Sequence, residues 1–567
     1  MKNTVKLLFY LILLQGIVFN LFAQSPEYAR HGMVVSSSQI ASDVGRDILK
    51  SGGNAIDAAV ATAFALAVTW PSAGNIGGGG FIVYMNNQGA VTTIDFREKA
   101  PLAATPTMYL DEQGNIIKNS NHDGILAVGV PGTVAGLYKA HQQYGKLPWK
   151  KIVNPAVKLA SRGVPFTYTL YNHALYFEKR WKEYPSTAKV MYKEGGTSYQ
   201  PDEIWKQPDL AKTLKQIKKH GRDGFYQGTV AKQLTTFVQS MGGIITNEDL
   251  LKYEAIERKP VKGTYRGYDV YSMPPPSSGG VSLIQMLNIL EGYDLKTLGY
   301  QSADYVHVVA ETMRRAYANR AKYLGDPDFN EDMPLEKLMS KDYGAMLRSS
   351  IKMDTVTVSD SINFSQTYES PSTTHFSVMD KDGNAVSLTY TLEYSYGSQI
   401  VADGLGFFLN NEMGDFNPTP GVTTTKGQIG TKPNLIEPGK RMLSSMTPTI
   451  IAKDGRPFMI IGSPGGRTII NTVLQVVLNV IDNEMNIAQS IDAPRFHHQW
   501  LPDIISAEFH CLSPDTQTLL EEKGHKIKEG SPTSSQGAAM GIVYDAEKKL
   551  LSGHADPRSP DGGVSGY

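Results

Sequence analysis

The chain has 567 residues, of which 41% are hydrophobic and 19% are charged. This apolar content is sufficient for a large core, and it predicts a globular protein. The 55 lysines and arginines equal the 55 aspartates and glutamates in number, so the net charge gives no electrostatic reason to expect nucleic-acid binding.

The N-terminal segment is typical of an export signal. Lys2 and Lys6 precede an apolar run from Leu7 to Leu14, and Ala23 is a small residue at which a signal peptidase can cut. We therefore predict a signal peptide over residues 1–23 and an exported protein that is either periplasmic or secreted.

A retained membrane anchor is the alternative interpretation of this segment. Such an anchor requires about 20 uninterrupted apolar residues, whereas Gln15, Gly16 and Asn20 interrupt the run. We therefore expect no stable membrane anchor in the mature protein.

The cysteine and histidine content argues against disulfides and metal sites. Cys511 is the only cysteine, so an exported chain would have no intramolecular disulfide and no cysteine-rich metal site. The histidines form no HExxH motif, and the side chains of the adjacent His497 and His498 would point in different directions on a helix or a strand. We expect no bound metal.

Helical and strand patterns alternate along the chain without an internal repeat or a low-complexity linker, which favours one interwoven domain. The segment NAIDAAVATAFALAV, residues 54–68, is apolar on every face and predicts a buried helix. The GGGGF segment at 77–81 could cradle a phosphate, but no GxxxxGK[ST] motif follows it. The strand patterns FIVYM and TTIDF come next, so we assign the glycines to close backbone packing.

A β-hairpin is predicted further along the chain. The runs FSVMD and AVSLTYT are separated by Lys-Asp-Gly, which suits a three-residue loop with glycine in the left-handed conformation. If Asp380 pairs with Asn384, then Thr373 lies opposite Thr391, and Glu393 shares their face of the sheet. The register therefore predicts a cross-strand hydroxyl pair followed by a carboxylate.

Three adjacent hydroxyl residues, Ser372, Thr373 and Thr374, stand at the start of this hairpin. A turn, a capping cluster or a reactive site would each explain them, and cross-strand threonine pairs are common structural features. No GxSxG nucleophile elbow is present, so a conventional serine hydrolase has little support. The hydroxyl residues by themselves leave the choice open.

A Pro-Gly-Gly turn leads into an apolar helix in the segment SPGGRTIINTVLQVVLNVID, which starts at Ser463. Backbone N–H groups near Gly465 and Gly466 would then face outward at a helix N-terminus, where an anion can bind. A plain loop before a core helix is the alternative.

Six motifs together carry a resemblance to a known family: DFREKAP at 95–101, TTHFSVMDKDGNAVSLTYTL from Thr373, LNNEMGDF at 409–416, LSSMTPTI at 443–450, GSPGG at 462–466 and APRFHHQWLPD at 493–503. The chain resembles gamma-glutamyltransferase, also called gamma-glutamyltranspeptidase, of the N-terminal nucleophile hydrolase superfamily. The similarity extends over essentially the whole mature chain.

This resemblance implies an α+β fold, specifically a four-layer αββα sandwich, and a precursor that cuts itself between Ser372 and Thr373. Residues 24–372 would form a large subunit and residues 373–567 a small subunit, interwoven in one domain. Thr373 would become a chain terminus whose α-amino group activates its own hydroxyl. That base suits the task because its ordinary pKa is about 7.7–8.0.

The resemblance also implies the roles of the catalytic residues. Thr373 would be the nucleophile, and Thr391 would form a hydrogen bond with its hydroxyl. The backbone N–H groups of Gly465 and Gly466 would stabilise the oxyanion of the tetrahedral intermediate.

The residues expected to bind the substrate come from the same motif match. Arg97 would hold the α-carboxylate of the γ-glutamyl group through its planar guanidinium, although a surface ion pair with a neighbouring acid is the commoner role of an arginine. Glu393 replaces an asparagine that many members carry and would be a third contact to the α-ammonium group. The remaining contacts are Glu412 and Asp415 for the ammonium group and Ser444 and Ser445 for the carboxylate.

The loop 420–434 matches the lid over the active site of the family. Some bacterial members close this lid with an aromatic residue, and Lys426 stands at the matching position. We therefore predict an acyl-enzyme that is open to water, with hydrolysis a large share of turnover. The alternative is that Lys426 points into solvent and a neighbour such as Ile429 covers the site.

The resulting hypothesis is γ-glutamyl transfer and hydrolysis, with glutathione and related γ-glutamyl compounds as donors and water, amino acids or peptides as acceptors, and without a cofactor. One alternative is a glutaryl- or cephalosporin-type acylase of the same superfamily. Another is a processed but inactive periplasmic binding protein. The acids at Glu412 and Asp415 argue against the acylase, because a glutaryl group has no amine to bind them.

Overall fold

The computed structural model describes residues 25–359, 373–421 and 431–567. The predicted signal peptide lies outside these ranges, as do Ser372 of the predicted cleavage bond and the lid residues Lys426 and Ile429.

Two seven-stranded antiparallel sheets form the centre of the molecule. The first, in spatial order, contains Glu27–Ala29, Leu550–Ala555, Met540–Asp545, Arg456–Ile461, Thr449–Lys453, Tyr268–Ser272 and Val261–Tyr265. The second contains Gly563–Gly566, Met33–Ser36, Thr374–Met379, Ala385–Thr391, Gly79–Met85, Val91–Asp95 and Ile256–Arg258. Short strands outside them are Phe496–His497, Ile505–Ala507, Ile527–Glu529, Val164–Pro165 and Ile204–Trp205.

Helices cover the outer faces of both sheets. Those on the side of the second sheet include Gln39–Lys50, Ala55–Thr69, Thr133–Tyr144, Trp149–Arg162, Tyr168–Tyr176, Pro208–His220 and Gly228–Ser240. Those on the side of the first sheet include Gly279–Leu290, Ala303–Tyr323 and Thr468–Ile481. Shorter helices are Glu178–Lys182, Pro185–Met191, Asp223–Tyr226, Asn247–Lys252, Leu295–Leu298, Leu335–Leu338, Lys341–Ser349, Ile487–Asp492 and Pro514–Glu522.

Three apolar cores correspond to the three interfaces of these four layers. One core joins helices to the second sheet through residues such as Phe376 and Val378. Another joins helices to the first sheet through Met459 and its neighbours. The third lies between the sheets and contains Met379 and Ile460. Because successive strand residues point to opposite faces, each central strand contributes to two cores. The predicted αββα fold is confirmed.

The predicted buried helix is confirmed as Ala55–Thr69, and all fifteen of its residues are buried. Its first turn is closed by a capping box, in which the Asn54 side chain accepts a hydrogen bond from the Asp57 backbone N–H at 3.0 Å. The Asp57 carboxylate in turn accepts from the Asn54 backbone at 3.1 Å. These contacts satisfy N–H groups that a helix start otherwise leaves unpaired.

The predicted hairpin and its register are also confirmed. The backbone N–H of Asp380 donates to the Asn384 carbonyl at 3.0 Å, and Gly383 has a φ of 92° in the left-handed region. The strands pair from Met379 with Ala385 to Thr374 with Tyr390. Close packing explains the preceding glycine run, since a Cβ atom at Gly80 would lie 2.4 Å from the Thr389 carbonyl oxygen.

Both central sheets take strands from each side of position 373. In the second sheet the Met33–Ser36 strand lies between Thr374–Met379 and Gly563–Gly566. A cut before Thr373 would therefore leave two polypeptides that share both sheets. Among the described residues, no helix has the length and hydrophobicity needed to cross a bilayer.

Candidate active site

Thr373 stands immediately before the Thr374–Met379 strand, and its side chain is almost completely buried. The Thr373 hydroxyl donates a hydrogen bond to Thr391 Oγ1 at 3.4 Å. Thr391 Oγ1 also accepts from the backbone N–H of Glu393 at 2.9 Å. The hairpin register therefore brings the two threonines together as the sequence predicts.

A small pocket lies at Thr373. Nine of the ten predicted site residues line this pocket: Arg97, Thr373, Thr391, Glu393, Glu412, Asp415, Ser444, Ser445 and Gly466. Gly465 directly precedes Gly466 in the same turn. Met446 and Ile469 form an apolar part of the pocket wall. Segments that are far apart in the chain therefore meet at one cavity.

The turn before the Thr468–Ile481 helix has the backbone form of an anion-binding loop. Gly465 has a φ of 132° and Gly466 a φ of 55°, values that favour glycine. Within the described residues, neither glycine donates a hydrogen bond from its backbone N–H. These donors are available to an anion at the pocket wall.

Arg97 is the buried positive charge of the pocket. Its guanidinium forms ion pairs with Glu412 and Asp415, and it lies 3.5 Å from the Glu98 carboxylate. Burial alone would lower the pKa of Arg97, but Glu412, Asp415 and Glu98 together raise it above its ordinary value. Arg97 therefore belongs to a buried charge network and not to a surface ion pair.

Acids outnumber bases in this network. Burial raises the pKa of Glu98 to about 8, although the Arg97 charge opposes the shift. Burial likewise raises the pKa of Glu412 well above its usual range, again against Arg97. One guanidinium thus faces three carboxyl groups, and Glu393 lines the same pocket. The pocket is suited to a ligand that brings its own positive charge.

The two predicted serines lie in a loop that is held by hydrogen bonds. Ser445 Oγ accepts from Arg320 Nη2 at 2.9 Å, and the Ser444 carbonyl accepts from the Ser278 backbone N–H at 2.8 Å. Ser444 Oγ accepts from the Met446 backbone N–H at 3.1 Å. Both hydroxyls therefore line the pocket from an anchored backbone.

Comparison with known proteins identifies the family. The family model for gamma-glutamyltranspeptidase matches residues 41–566. The chain belongs to the gamma-glutamyltranspeptidase family. It is 46% identical over 558 residues to a protein named glutathione hydrolase proenzyme from Pseudomonas sp. strain A14, covering 97% of each chain.

Solved structures of this gamma-glutamyltranspeptidase family and of a related acylase resemble the chain. Gamma-glutamyltranspeptidase from Helicobacter pylori is 48% identical and superposes with a TM-score of 0.56, covering 57% of this chain and 92% of that one. A cephalosporin acylase from Bacillus halodurans is 28% identical with a TM-score of 0.84, covering 96% of this chain and 97% of that one. The N-terminal nucleophile hydrolase fold and the assignment to an enzyme family are thus confirmed.

One residue at the site of this family member was not predicted from the sequence. His122 Nδ1 lies 2.9 Å from Glu393 Oε1. The two residues are 271 positions apart, and His122 stands alone in a polar loop without a motif. No local pattern marks such a residue, because its role depends on the tertiary contact.

The histidine nearest in sequence to Thr373 belongs to the core. His375 is completely buried between hydrogen bonds to Thr389 Oγ1 at 2.8 Å and Ser377 Oγ at 3.1 Å. Burial lowers its pKa to about 3, so the ring is neutral at physiological pH. Its ring nitrogens are directed to these two hydroxyls and not to Thr373.

Histidine and cysteine side chains elsewhere have separate partners. His497 Nδ1 lies 2.6 Å from Asn471 Nδ2, and His498 Nε2 lies 3.2 Å from Asp503 Oδ1. Burial raises the pKa of the Cys511 thiol to about 12. In the part of the chain that the structure describes, no cluster of three His, Cys, Asp or Glu residues has the arrangement of a metal site.

Proposed function

We propose that the protein transfers γ-glutamyl groups from glutathione and related compounds to water and to amino-acid or peptide acceptors. The observation that carries the proposal is the pocket in which Thr373 lies beside a buried arginine and an excess of acids. An α-amino acid head group has one carboxylate and one ammonium group, which match these two kinds of side chain. Relatives named glutathione hydrolase proenzyme support the same donor class.

The first step is activation of the precursor. Cleavage between Ser372 and Thr373 would release the α-amino group of Thr373, which then accepts the proton of the threonine hydroxyl. The word proenzyme in the names of the relatives supports a precursor of this kind. Residues 24–372 and 373–567 would be the large and small subunits.

Acyl transfer would then proceed through an ester. Thr373 Oγ1 attacks the γ-carbonyl carbon, and the N–H groups of Gly465 and Gly466 stabilise the oxyanion, a contribution of about 2.7–4 kcal/mol per donor in other enzymes. The C–N bond breaks, and the leaving amine takes the proton from the α-amino group. Water or an acceptor amine attacks the ester and regenerates Thr373. Thr391 holds the attacking oxygen in line.

The α-amino acid head group of the donor would be bound at both its carboxylate and its ammonium group. Arg97, Ser444 and Ser445 contact the α-carboxylate, and Glu393, Glu412 and Asp415 surround the ammonium group. Arg97 already pairs with Glu412 and Asp415, so the carboxylate and ammonium contacts share one network. A zwitterion enters this network without changing its net charge.

Acylase activity is the second candidate, because the cephalosporin acylase of Bacillus halodurans has a closely similar fold. Comparison of L-γ-glutamyl-p-nitroanilide with glutaryl-p-nitroanilide distinguishes the two. The proposal expects strong preference for the donor that carries an α-amino group. Equal or better turnover of the glutaryl compound would assign the protein to the acylases, and turnover of neither would indicate a binding protein.

We also propose export to the periplasm or medium after removal of residues 1–23. The charged and apolar pattern of that segment supports it. Intact mass measurement of the protein from a cell fraction tests both the signal cleavage and the internal cut. A single polypeptide that begins at Met1 would contradict both.

A further inference from the structure

The His122 side chain is held by stacking and by hydrogen bonds to its neighbours, although it lies in a loop. Its ring stacks on Tyr394 with the ring centres 5.1 Å apart and the planes within 2° of parallel. Asn411 holds both residues, because its Nδ2 donates to the His122 carbonyl at 3.1 Å and its Oδ1 accepts from the Tyr394 backbone at 3.0 Å. The imidazole therefore has a fixed orientation.

Glu393 is also held in place. Its φ is 78°, a left-handed conformation that is uncommon for a residue with a Cβ atom. Its backbone N–H donates to Thr391 Oγ1 at 2.9 Å, and its carboxylate lies 2.9 Å from His122 Nδ1. The strained backbone and the imidazole thus direct one carboxylate into the pocket beside Thr373.

The protonation of His122 determines the charge of this pair. Within the described residues, the charged groups that face the ring include Glu393, Asp415 and Asp123, and Arg180 lies 3.6 Å from Asp123. Burial lowers the pKa of His122 below its ordinary value, and the attraction of Asp415 and Asp123 opposes the shift. At neutral pH the ring is therefore mostly neutral, and its tautomer with the proton on Nδ1 donates that proton to the Glu393 carboxyl group without adding a positive charge.

We propose that His122 is a positioning residue of the α-ammonium subsite that acts through Glu393. The imidazole holds the carboxylate toward the pocket without neutralising it. The inference rests on the proposed function, because it assigns Glu393 to the ammonium group of a γ-glutamyl donor. His122 itself is not among the residues that line the pocket at Thr373.

The test compares two variants at one position. His122→Phe retains an aromatic ring over Tyr394 but removes the N–H donor, whereas His122→Asn retains an N–H donor near the original Nδ1. For L-γ-glutamyl-p-nitroanilide we expect His122→Phe to raise KM about tenfold, as expected for loss of a hydrogen bond to a charged group. Its kcat should stay within about twofold, and His122→Asn should restore most of the loss.

A double-mutant cycle shows whether the effect passes through Glu393. Glu393→Asn suits the left-handed backbone, since asparagine tolerates that conformation. In the Glu393→Asn background, His122→Phe should change KM by less than about twofold. An equal change in both backgrounds, or a loss of kcat with unchanged KM, overturns the inference.

If His122→Phe fails to mature, the pH dependence of the donor KM in the wild type and in His122→Asn tests the inference instead. As the pH falls through the pKa of His122, the ring gains a positive charge next to the Glu393 carboxyl group, and this charge repels an ammonium group at the same subsite. Donor KM of the wild type should therefore rise in that range, and the rise should be absent in His122→Asn. Identical profiles overturn the inference. Absence of wild-type turnover instead overturns the proposed function.

Discussion

Two buried charge clusters in the molecule differ in their balance. At the pocket, the Arg97 guanidinium pairs with Glu412 and Asp415 and lies 3.5 Å from the Glu98 carboxylate, so three acids face one arginine among the described residues. In the second cluster, on the Ala303–Tyr323 helix, Glu311 Oε1 lies 3.0 Å from Arg314 and Oε2 lies 2.6 Å from Arg315. Asp503 forms a second ion pair with Arg314, so two acids face two guanidinium groups.

The pKa shifts of the two clusters have opposite signs. Burial by itself would raise the pKa of Glu311, but Arg314 and hydrogen bonds from Thr357 and Arg315 bring it below its ordinary value. At the pocket, burial is not fully offset, so the pKa values of Glu98 and Glu412 are raised. In a balanced buried cluster each acid keeps a low pKa because its charge is paired, whereas a buried excess of acids is poised to bind a cation.

The largest expected effect comes from Thr373, the proposed nucleophile beside the unbalanced cluster. Thr373→Ala should remove both the internal cleavage and γ-glutamyl anilide turnover, because the hydroxyl carries both reactions in the proposed mechanism. Intact mass spectrometry and a chromogenic assay measure the two results. Thr374→Ser is the matched control and should be cut normally. Cleavage of Thr373→Ala at the same bond would remove Thr373 as the processing nucleophile.

Substitutions of the acids and of the arginine in the unbalanced cluster should reduce activity more than they reduce folding stability. Asp415→Ala and Arg97→Ala should mature but lose about 30-fold or more in kcat/KM, since truncating one partner of a buried charge pair costs about 2–5 kcal/mol. Steady-state kinetics at sub-saturating γ-glutamyl anilide measure this loss. Wild-type turnover by either variant would show that the residue does not hold the substrate.

A substitution in the balanced cluster should reduce folding stability and leave activity unchanged. Glu311→Gln should lower the free energy of unfolding by about 3–5 kcal/mol, because Arg315 loses its carboxylate partner and Arg314 keeps only Asp503. Its kcat/KM per folded molecule should be unchanged. Denaturant unfolding and kinetics on the same sample measure both. Glu178→Gln, which removes an exposed ion pair with Lys182, is the control and should change stability by no more than about 1 kcal/mol.

A smaller effect is expected from the titration of Glu98. Its pKa of about 8 means that the carboxyl group is mostly neutral at pH 7 and ionises as the pH rises above 8. The ionised group, 3.5 Å from Arg97, then competes with the substrate carboxylate. Donor KM should therefore rise above pH 8 in the wild type and stay flat in Glu98→Gln. A parallel rise in both proteins would assign the titration to another group.

Local features of the fold were predictable from the sequence because their causes lie within a few residues. The turn at Gly383 and the alternation of the flanking strands determine the hairpin register, which places Thr373 opposite Thr391. The all-apolar composition of 54–68 likewise determines a buried helix. The family motifs then indicated which of the hydroxyl residues to assign as the nucleophile.

Charge balance and long-range partners were decided only by the tertiary structure. Arg97 and Glu412 are 315 positions apart, and His122 and Glu393 are 271 apart. A sequence shows that a residue can ionise, but its pKa depends on burial and on which charges the packed layers bring beside it. The sequence therefore determined the hairpin register that places Thr373 beside Thr391 and the buried helix. The packing of the four layers determined which acids are buried around Arg97 and which imidazole contacts Glu393.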